Sequence, residues 1–266
     1  MTAAPVDAKS AGARRVFITG ASSGIGAALA RHYAGRGATL GLVARRAAQI
    51  DSLLGELPGE HRSYPADVTD AGALAAAARD FLAHGGVPDI VIANAGVSAG
   101  TLTEHAADLA AFKRIFAVNV AGMVATFAPF VAPMREAGRG RLVGIASVAG
   151  IRGLPGAGAY SASKAAAIAY LESLRVELRG SGVRVVTLCP GYIETPMTAV
   201  NTYPMPFMLP AGEAVRRMAR LIDAGRSYAV VPWQMAVVAK LLRALPNPLF
   251  DLLFSRAGRK PRGLDV

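Results

Sequence analysis

A phenol and an ammonium stand four residues apart in Tyr160-Ser161-Ala162-Ser163-Lys164, a spacing that puts both on one face of a helix. Tyrosine ordinarily titrates near ~10 and is a poor base at neutral pH, but a neighbouring cation stabilises the phenolate and lowers that value. Such a pair can pass a proton to or from an oxygen on a reacting carbon. Ser147, at the end of the preceding apolar run, can donate a hydrogen bond to the same oxygen as charge develops there. A Tyr and Lys pair at this spacing also occurs on ordinary solvated helix faces, so the rest of the chain must decide its use.

A second set of residues suits a dinucleotide. The first apolar run is followed at once by Thr19-Gly20-Ala21-Ser22-Ser23-Gly24-Ile25-Gly26, which leads into a helix beginning near Ile25. Gly20 permits a tight turn, Gly24 lets a pyrophosphate approach the backbone, and Gly26 lets the helix lie close on its sheet. The helix N-terminus, with Ser22 and Ser23 before it, offers free N–H groups to phosphates. After the second apolar run, where a carboxylate would bind the ribose hydroxyls of NAD, stand Arg45 and Arg46. These suit a 2′-phosphate, so the spacing favours NADP(H). Asp67, followed by Val68, can accept a hydrogen bond from an adenine amino group, and Asn94-Ala95-Gly96 can carry the chain past the adenosine.

Both sets need a frame that brings loop ends together. Apolar β-branched runs at Arg15 to Thr19, Thr39 to Ala44, Asp89 to Ala93, Arg141 to Ala146, Val183 to Leu188 and Tyr228 to Val231 alternate with Ala-rich helical stretches, with a weaker strand near Arg62 to Tyr64. Helices are expected from Ala159 to Gly180 and from Gly212 to Ala224. Strands that are apolar throughout, each followed by a helix, predict an α/β fold: a doubly wound parallel sheet in a three-layer α/β/α sandwich of the Rossmann type. Ligands in such sheets bind outside the carboxyl ends of the strands, where the motifs above fall. The predicted organisation is a flexible tail over residues 1–14, one oxidoreductase domain over 15–232, and an apolar-basic helical extension over 233–266.

Composition narrows the alternatives. The chain has 266 residues, 53% of them hydrophobic, and a formal net charge of +11. The arginines are spread without a basic helix, zinc-finger spacing or aromatic-basic alternation, which argues against nucleic acid as a partner. Four histidines without ligand spacing and the single Cys189, set in an apolar strand, argue against a metal site and a disulfide. The uncharged run Ile115 to Met134 is long enough to cross a bilayer, but Asn119, Gly122, Pro129 and Pro133 fit better a helix covered by sheet on one side and a partner subunit on the other. The N-terminal residues lack a secretory core, so a cytoplasmic location is expected.

Taken together, these motifs resemble the classical short-chain dehydrogenase/reductase family from about Arg15 to Pro232. The glycine motif matches Gly20, Gly24 and Gly26, and the Asn-Ala-Gly motif matches Asn94, Ala95 and Gly96. The family's catalytic Asn, Ser, Tyr and Lys match Asn119, Ser147, Tyr160 and Lys164, and its Pro-Gly after the sixth strand matches Pro190-Gly191. The resemblance implies that Tyr160 exchanges a proton with the substrate oxygen, Lys164 binds the nicotinamide ribose and tunes Tyr160, and Ser147 positions the substrate. It further implies that Asn119 holds a water leading from Lys164, and that Ile193 and Thr195 meet the nicotinamide carboxamide. Some NADP-preferring relatives carry a basic residue where Ser23 stands, which leaves more of the discrimination to Arg45.

The expected activity is hydride transfer between nicotinamide and a carbonyl or secondary alcohol. The alternatives are a non-catalytic NADP(H)-binding redox sensor or scaffold and, less compatible with the glycine spacing, an extended-type epimerase or dehydratase. Met197, Tyr203, Met205, Phe207, Met208 and Leu209, interleaved with Pro204, Pro206 and Pro210, suggest an apolar lid for a hydrophobic substrate. The extension departs from the family's usual glycine-rich ending. It predicts two short amphipathic helices around Pro246-Asn247-Pro248, covered by the protein itself or by a second subunit, with a homodimer favoured. A peripheral contact with anionic lipid through Trp233, Phe250, Phe254 and Arg256, Arg259, Lys260 and Arg262 is the alternative.

Overall fold

The computed structural model describes residues 14–263. The expected N-terminal tail therefore lies outside the described residues except for Arg14, whose guanidinium pairs with Asp223 at 2.6 Å, and the last three residues of the extension lie outside them too. The strands are β1 (Arg15–Thr19), β2 (Thr39–Ala44), β3 (Arg62–Pro65), β4 (Ile90–Ala93), β5 (Gly140–Ile145), β6 (Val183–Pro190) and β7 (Tyr228–Val231). They form one seven-stranded sheet in the order β3-β2-β1-β4-β5-β6-β7, with every pairing parallel. Strand order reverses between β1 and β4, and a crevice opens above their carboxyl ends.

Alternation along the strands explains the three layers, because successive side chains point to opposite faces. On β1, Val16 and Ile18 join one core with Ile90 and Ile92 of β4, against helix α1 (Gly24–Ala34), helix α2 (Ala47–Glu56) and helix α8 (Ala211–Asp223). Phe17 and Val91 point the other way, into a core with Phe81 of helix α3 (Ala71–Ala83), Phe127 and Phe130 of helix α5 (Gly122–Glu136), and Leu171 and Leu174 of helix α6 (Gly158–Glu177).

The apolar run flagged as long enough to span a bilayer belongs to helix α4 (Asp108–Phe116), a π turn at Ala117–Ala121, and α5. By length and composition this combined helix qualifies as a span. Met123, Phe127, Phe130 and Met134 are buried against the sheet and α3, while Leu109, Phe112 and Val124 are exposed on the outer side.

After β7 the chain forms helix α9 (Trp233–Ala244) and helix α10 (Asn247–Phe254), close to the two helices expected around Pro246 and Pro248. Their expected coverage is only partial. Met235, Ala239 and Phe250 are buried, whereas Leu241, Leu249, Leu252 and Leu253 are exposed, Leu252 at 73%. Heptad-like spacing identified an apolar face, but α9 presents only one edge of it to the domain. The four tail cations also part company: Lys260 turns inward and is buried, Arg262 makes two hydrogen bonds to the Asp108 carboxylate at 2.8 and 3.0 Å, and Arg256 and Arg259 remain exposed.

Candidate active site

Two cavities meet above the sheet. The first, about 240 Å³, is a cleft over the β1 and β4 ends; the second, about 320 Å³, lies between α6, the segment after β6 and the C-terminal extension. Ser147, Tyr160, Pro190 and Gly191 line both, so the phenol and the hydroxyl stand at the junction.

The cleft brings together the residues singled out for a dinucleotide. Gly20, Ser22, Ser23, Gly24 and Ile25 line it, as do Arg45, Arg46, Asp67 and Val68. Asn94, Ala95 and Gly96 line it from β4, and Pro190, Gly191, Ile193 and Thr195 from β6, with Lys164 beneath. Gly26 is not in the wall. Its role is closeness: a Cβ there would lie 2.1 Å from the Gly20 carbonyl oxygen, so only glycine lets α1 start against the turn. Gly20, at φ +67°, has Ala95 Cα 2.7 Å from where a Cβ would project. Asn94 locks this approach by donating from Nδ2 to the carbonyls of Thr19 and Gly20 at 3.1 and 3.0 Å.

These residues fit a nicotinamide dinucleotide. No side chain caps α1, so its first amides open toward the cleft, where they can hold phosphate oxygens. Arg45 and Arg46 are exposed at the far end, and neither makes a salt bridge among the described residues. Asp67 is more constrained than its sequence position suggests. Its carboxylate accepts from Thr69 N and Oγ1 at 2.9 and 2.8 Å and from Arg114 Nη2 at 2.7 Å. Partial burial works to raise its pKa, but the Arg114 guanidinium and the Thr69 donors outweigh it and hold the group down at about 2. Arg114, also in the cleft wall, was not among the residues picked out from the sequence; it arrives from α4, and nothing local to it signals the contact.

Behind the junction, Asn119 sits fully buried in the π turn and lines neither cavity. Its Oδ1 accepts from Val97 N at 2.8 Å, and its Nδ2 donates to Val97 O and Ser163 Oγ, both at 3.0 Å. The side chain thus pins the segment after β4 to α6. Gly96 packs over the same spot, since a Cβ there would lie 3.4 Å from Asn119 Oδ1 and 3.5 Å from Lys164 Nζ. Lys164 is buried, and its Nζ donates to the Ile145 carbonyl at 2.9 Å. Burial pulls its ammonium down to about 8.

Tyr160 differs from the expectation of a lowered phenol. Burial pushes its pKa up, and the Ser147 hydroxyl only partly offsets this. Lys164 Nζ lies 5.8 Å from the centre of the ring, bonded to the strand rather than to the phenol, so its charge does not overcome desolvation. Ser147 itself accepts from Ala149 N at 3.1 Å, which orients the hydroxyl at the start of a short 3₁₀ turn (Val148–Gly150).

The second cavity is walled by Val148 and Ile151 after β5, by Tyr203, Pro204 and Pro206 of the lid, and by Met235, Leu242 and Phe254 of the extension. The lid's ends are drawn together, Leu209 N donating to Tyr192 O at 3.1 Å and Glu194 N to Leu209 O at 2.9 Å. Within it, Thr195 starts a single helical turn, α7 (Pro196–Ala199), through reciprocal bonds with Thr198, and its methyl lies against Gly24. Only part of the expected apolar lid points inward: Phe207 and Met208 are exposed.

Known proteins agree with this arrangement. Residues 14–204 match the family model for short chain dehydrogenase. An uncharacterised oxidoreductase of Myxococcus xanthus (strain DK1622) is 42% identical over 241 residues, covering 90% of this chain and 95% of that one. The cis-4-hydroxycyclohexanecarboxylate dehydrogenase of Sinomonas cyclohexanicum is 34% identical over 218 residues, covering 81% and 88% of the two chains. Among solved structures, a 3-ketoacyl-(acyl-carrier-protein) reductase from Brucella melitensis complexed with NADH superposes with a TM-score of 0.75 at 26% identity, over 82% of this chain and 96% of that one. With the family match spanning most of the chain and the parallel sheet placing the cleft at its switch point, this protein belongs to the short-chain dehydrogenases, oxidoreductases acting on alcohol and carbonyl groups with a nicotinamide cofactor.

Proposed function

We propose that the chain is an NADP(H)-dependent reductase of hydrophobic ketones, running in reverse as a secondary-alcohol dehydrogenase. The observation that carries this reading is the shared wall: Tyr160 and Ser147 border both the dinucleotide-shaped cleft and the apolar cavity. A carbonyl entering from the second cavity meets both hydroxyls where a nicotinamide ring in the first would face it.

When bound, the cofactor supplies or accepts the hydride. Tyr160 gives its phenolic proton to the substrate oxygen, a role suited to a group that burial keeps protonated at neutral pH. Ser147 donates to the same oxygen and stabilises the charge that develops on it. Lys164, with one proton on Ile145 O, keeps two for the nicotinamide ribose and for the route by which Tyr160 is reprotonated. Asn119, buried in the π turn on the far side of Gly96 from the cleft, would hold a water on that route.

Arg45 and Arg46 support the phosphorylated cofactor, since each can form charge-assisted bonds to a 2′-phosphate. The Brucella reductase was solved with NADH, so the arginines rather than the fold carry this choice. The relative from Sinomonas acts, by its name, on a hydroxyl borne by an alicyclic ring, in keeping with a cavity lined by Val148, Ile151, Met235 and Leu242. We further assign the protein a homodimer in the cytoplasm. The exposed apolar side of α4 and α5 and the leucines of α9 and α10 are the two candidate faces, and an anionic membrane surface is the competing occupant of the latter.

Initial rates for a panel of aliphatic, aromatic, steroid and acyl ketones with NADPH and with NADH test the proposal. We expect turnover of at least one apolar class, with NADPH preferred. Absence of oxidation of either cofactor across the panel, together with tight NADPH binding, would instead support a non-catalytic NADP(H)-binding protein.

A further inference from the structure

The second cavity contains a charge that its apolar walls do not explain. Lys260 is only 8% exposed and lines the cavity, yet it lies in the tail beyond α10. Its position is imposed by the backbone. Gly100 N donates to Pro261 O at 2.9 Å, a Cβ on Gly100 would lie 2.1 Å from Lys260 O, and Arg262 anchors the next turn of chain on Asp108. The ammonium donates to the Met197 carbonyl at 3.0 Å, its single hydrogen-bond partner among the described residues. Among the described residues, no Asp or Glu lines the cavity.

The cavity's other cation is already committed. Arg152 donates to the carbonyls of Leu242 and Leu245 and to Asn247 Oδ1, and its guanidinium stacks 3.9 Å from the centre of the Phe250 ring. Lys260 retains two unused donors. Asn201 lines the same cavity; among the described residues its Nδ2 donates only to Met205 Sδ at 3.5 Å, and its Oδ1, an acceptor, has no partner. A buried ammonium without a counter-ion is costly, and burial pushes this one below its ordinary pKa. Any neutral donor would serve to hold the Met197 carbonyl. What lysine adds is charge.

We propose that Lys260 is a specificity-determining residue that selects hydrophobic ketones or alcohols bearing a carboxylate at the end remote from the reacting carbon. The apolar walls hold the body of the substrate, Tyr160 and Ser147 hold the reacting oxygen, and the Lys260 ammonium holds the carboxylate with its two remaining donors. A single ammonium matches a monoanion better than a phosphate dianion, which needs more donors. The inference rests on Tyr160 marking the reacting end.

A matched pair of probes separates charge from shape: 4-acetylbenzoate and 4-acetylbenzamide share the ring and the ketone and differ in charge. With the full-length chain and NADPH, kcat/KM for the carboxylate should exceed that for the amide by about tenfold or more, the scale of one desolvated charge-assisted bond. Lys260→Gln, which keeps a donor for the Met197 carbonyl, should erase the preference through KM and leave the amide within about twofold, and Lys260→Arg should restore part of it. Equal losses on both probes would reduce Lys260 to a tether of the lid and overturn the proposal. Equal rates on both probes with the unaltered chain would overturn it too, while leaving the reductase reading intact. If neither probe is reduced, calorimetric titration of the NADP⁺-loaded chain decides. Tighter binding of 4-acetylbenzoate, lost in Lys260→Gln, supports the charge site even as the activity reading fails; indifference to charge, or no binding, sinks it.

Discussion

Around the cofactor cleft, almost every wall residue follows a strand within a few positions: Gly20 and Ser22 follow β1, Arg45 and Arg46 follow β2, Asp67 follows β3, and Asn94 follows β4. Around the second cavity only the side shared with the cleft, Ser147 and Val148 after β5 and Gly191 after β6, comes from strand ends, and the rest of the wall comes from elsewhere. Tyr203 and Pro206 belong to the lid, Met235 and Leu242 to α9, Phe254 to α10, and Lys260 to the tail. The first end is made by the sheet, around which both cores of the doubly wound fold are built. The second is made by segments laid over it, whose positions are set by a few contacts such as Gly100 with Pro261. Changes at the first end should therefore alter cofactor handling and chemistry for every substrate, and changes at the second should alter substrate handling alone.

The largest expected effect lies at the junction itself. Tyr160→Phe removes only the proton-transferring hydroxyl, so turnover should fall by about 1000-fold or more while the NADPH dissociation constant stays within about twofold. Lys164→Ala should damage both quantities, because its ammonium serves ribose and phenol together. Single-turnover rates and fluorescence titration of NADPH measure the two. A Phe variant retaining more than about a tenth of the rate, a loss under ~1.4 kcal/mol, would remove Tyr160 from the role of general acid.

Deleting the chain after Pro232 tests the other end alone. The deletion strips Met235, Leu242, Phe254 and Lys260 from the second cavity but removes no residue of the cleft wall. We expect kcat/KM for the best ketone to drop about 100-fold, chiefly in KM, with NADPH affinity retained and thermal stability lowered through loss of the buried Met235, Ala239 and Phe250. The same variant decides what meets the exposed leucines. A dimer lost on deletion assigns them to a second subunit. Co-sedimentation of the intact chain with anionic vesicles, weakened by salt and absent after deletion, assigns them to lipid.

Arg45→Asp perturbs the cofactor end in the complementary way. Exchanging a phosphate-binding cation for a carboxylate that accepts ribose hydroxyls should shift the ratio of NADPH to NADH dissociation constants toward NADH by about tenfold, without changing the order of preference among ketones. An unchanged ratio would place the 2′-phosphate away from Arg45.

What the sequence made legible divides along the same line. Strand positions came out within a residue or two because fully apolar β-branched runs between glycine turns have few other uses, and the cleft residues came with them. Arg114 escaped notice because its partner Asp67 lies 47 positions away and no periodicity links them. Composition groups Lys260 with Arg256, Arg259 and Arg262 as one basic cluster, because it shows charge but not direction. A two-residue backbone contact with Gly100 turns it inward, and only the fold supplies that contact. For α9 and α10, spacing gave the apolar face correctly but not the fraction of it that the domain covers.

The smallest effect we expect comes from loosening the tail without removing it. Asp108→Asn abolishes the ion pair with Arg262 and weakens the acceptor for Leu102 N, which donates to the same carboxylate at 2.8 Å. The Arg262 guanidinium, followed by that backbone donor, holds the Asp108 carboxyl down at about 2, below its ordinary value of 3.8. A carboxyl with a depressed folded-state pKa stabilises the fold fully above the unfolded value and loses that contribution as pH falls through the folded one. The melting temperatures of the unaltered chain and of Asp108→Asn should therefore differ modestly at pH 6 and converge between about pH 4 and pH 2. At pH 7 the variant should raise KM for a carboxylate-bearing ketone two- to threefold, by about the amount that a looser tail displaces Lys260, and leave the NADPH dissociation constant unchanged. Asp67→Asn is the counterpart at the other end, since it cuts the Arg114 pair in the cleft wall and should weaken NADPH while sparing KM for the ketone. If both variants moved both constants together, the two ends would be mechanically coupled through the lid turn that joins Thr195 and Met197, and the division between them would be wrong.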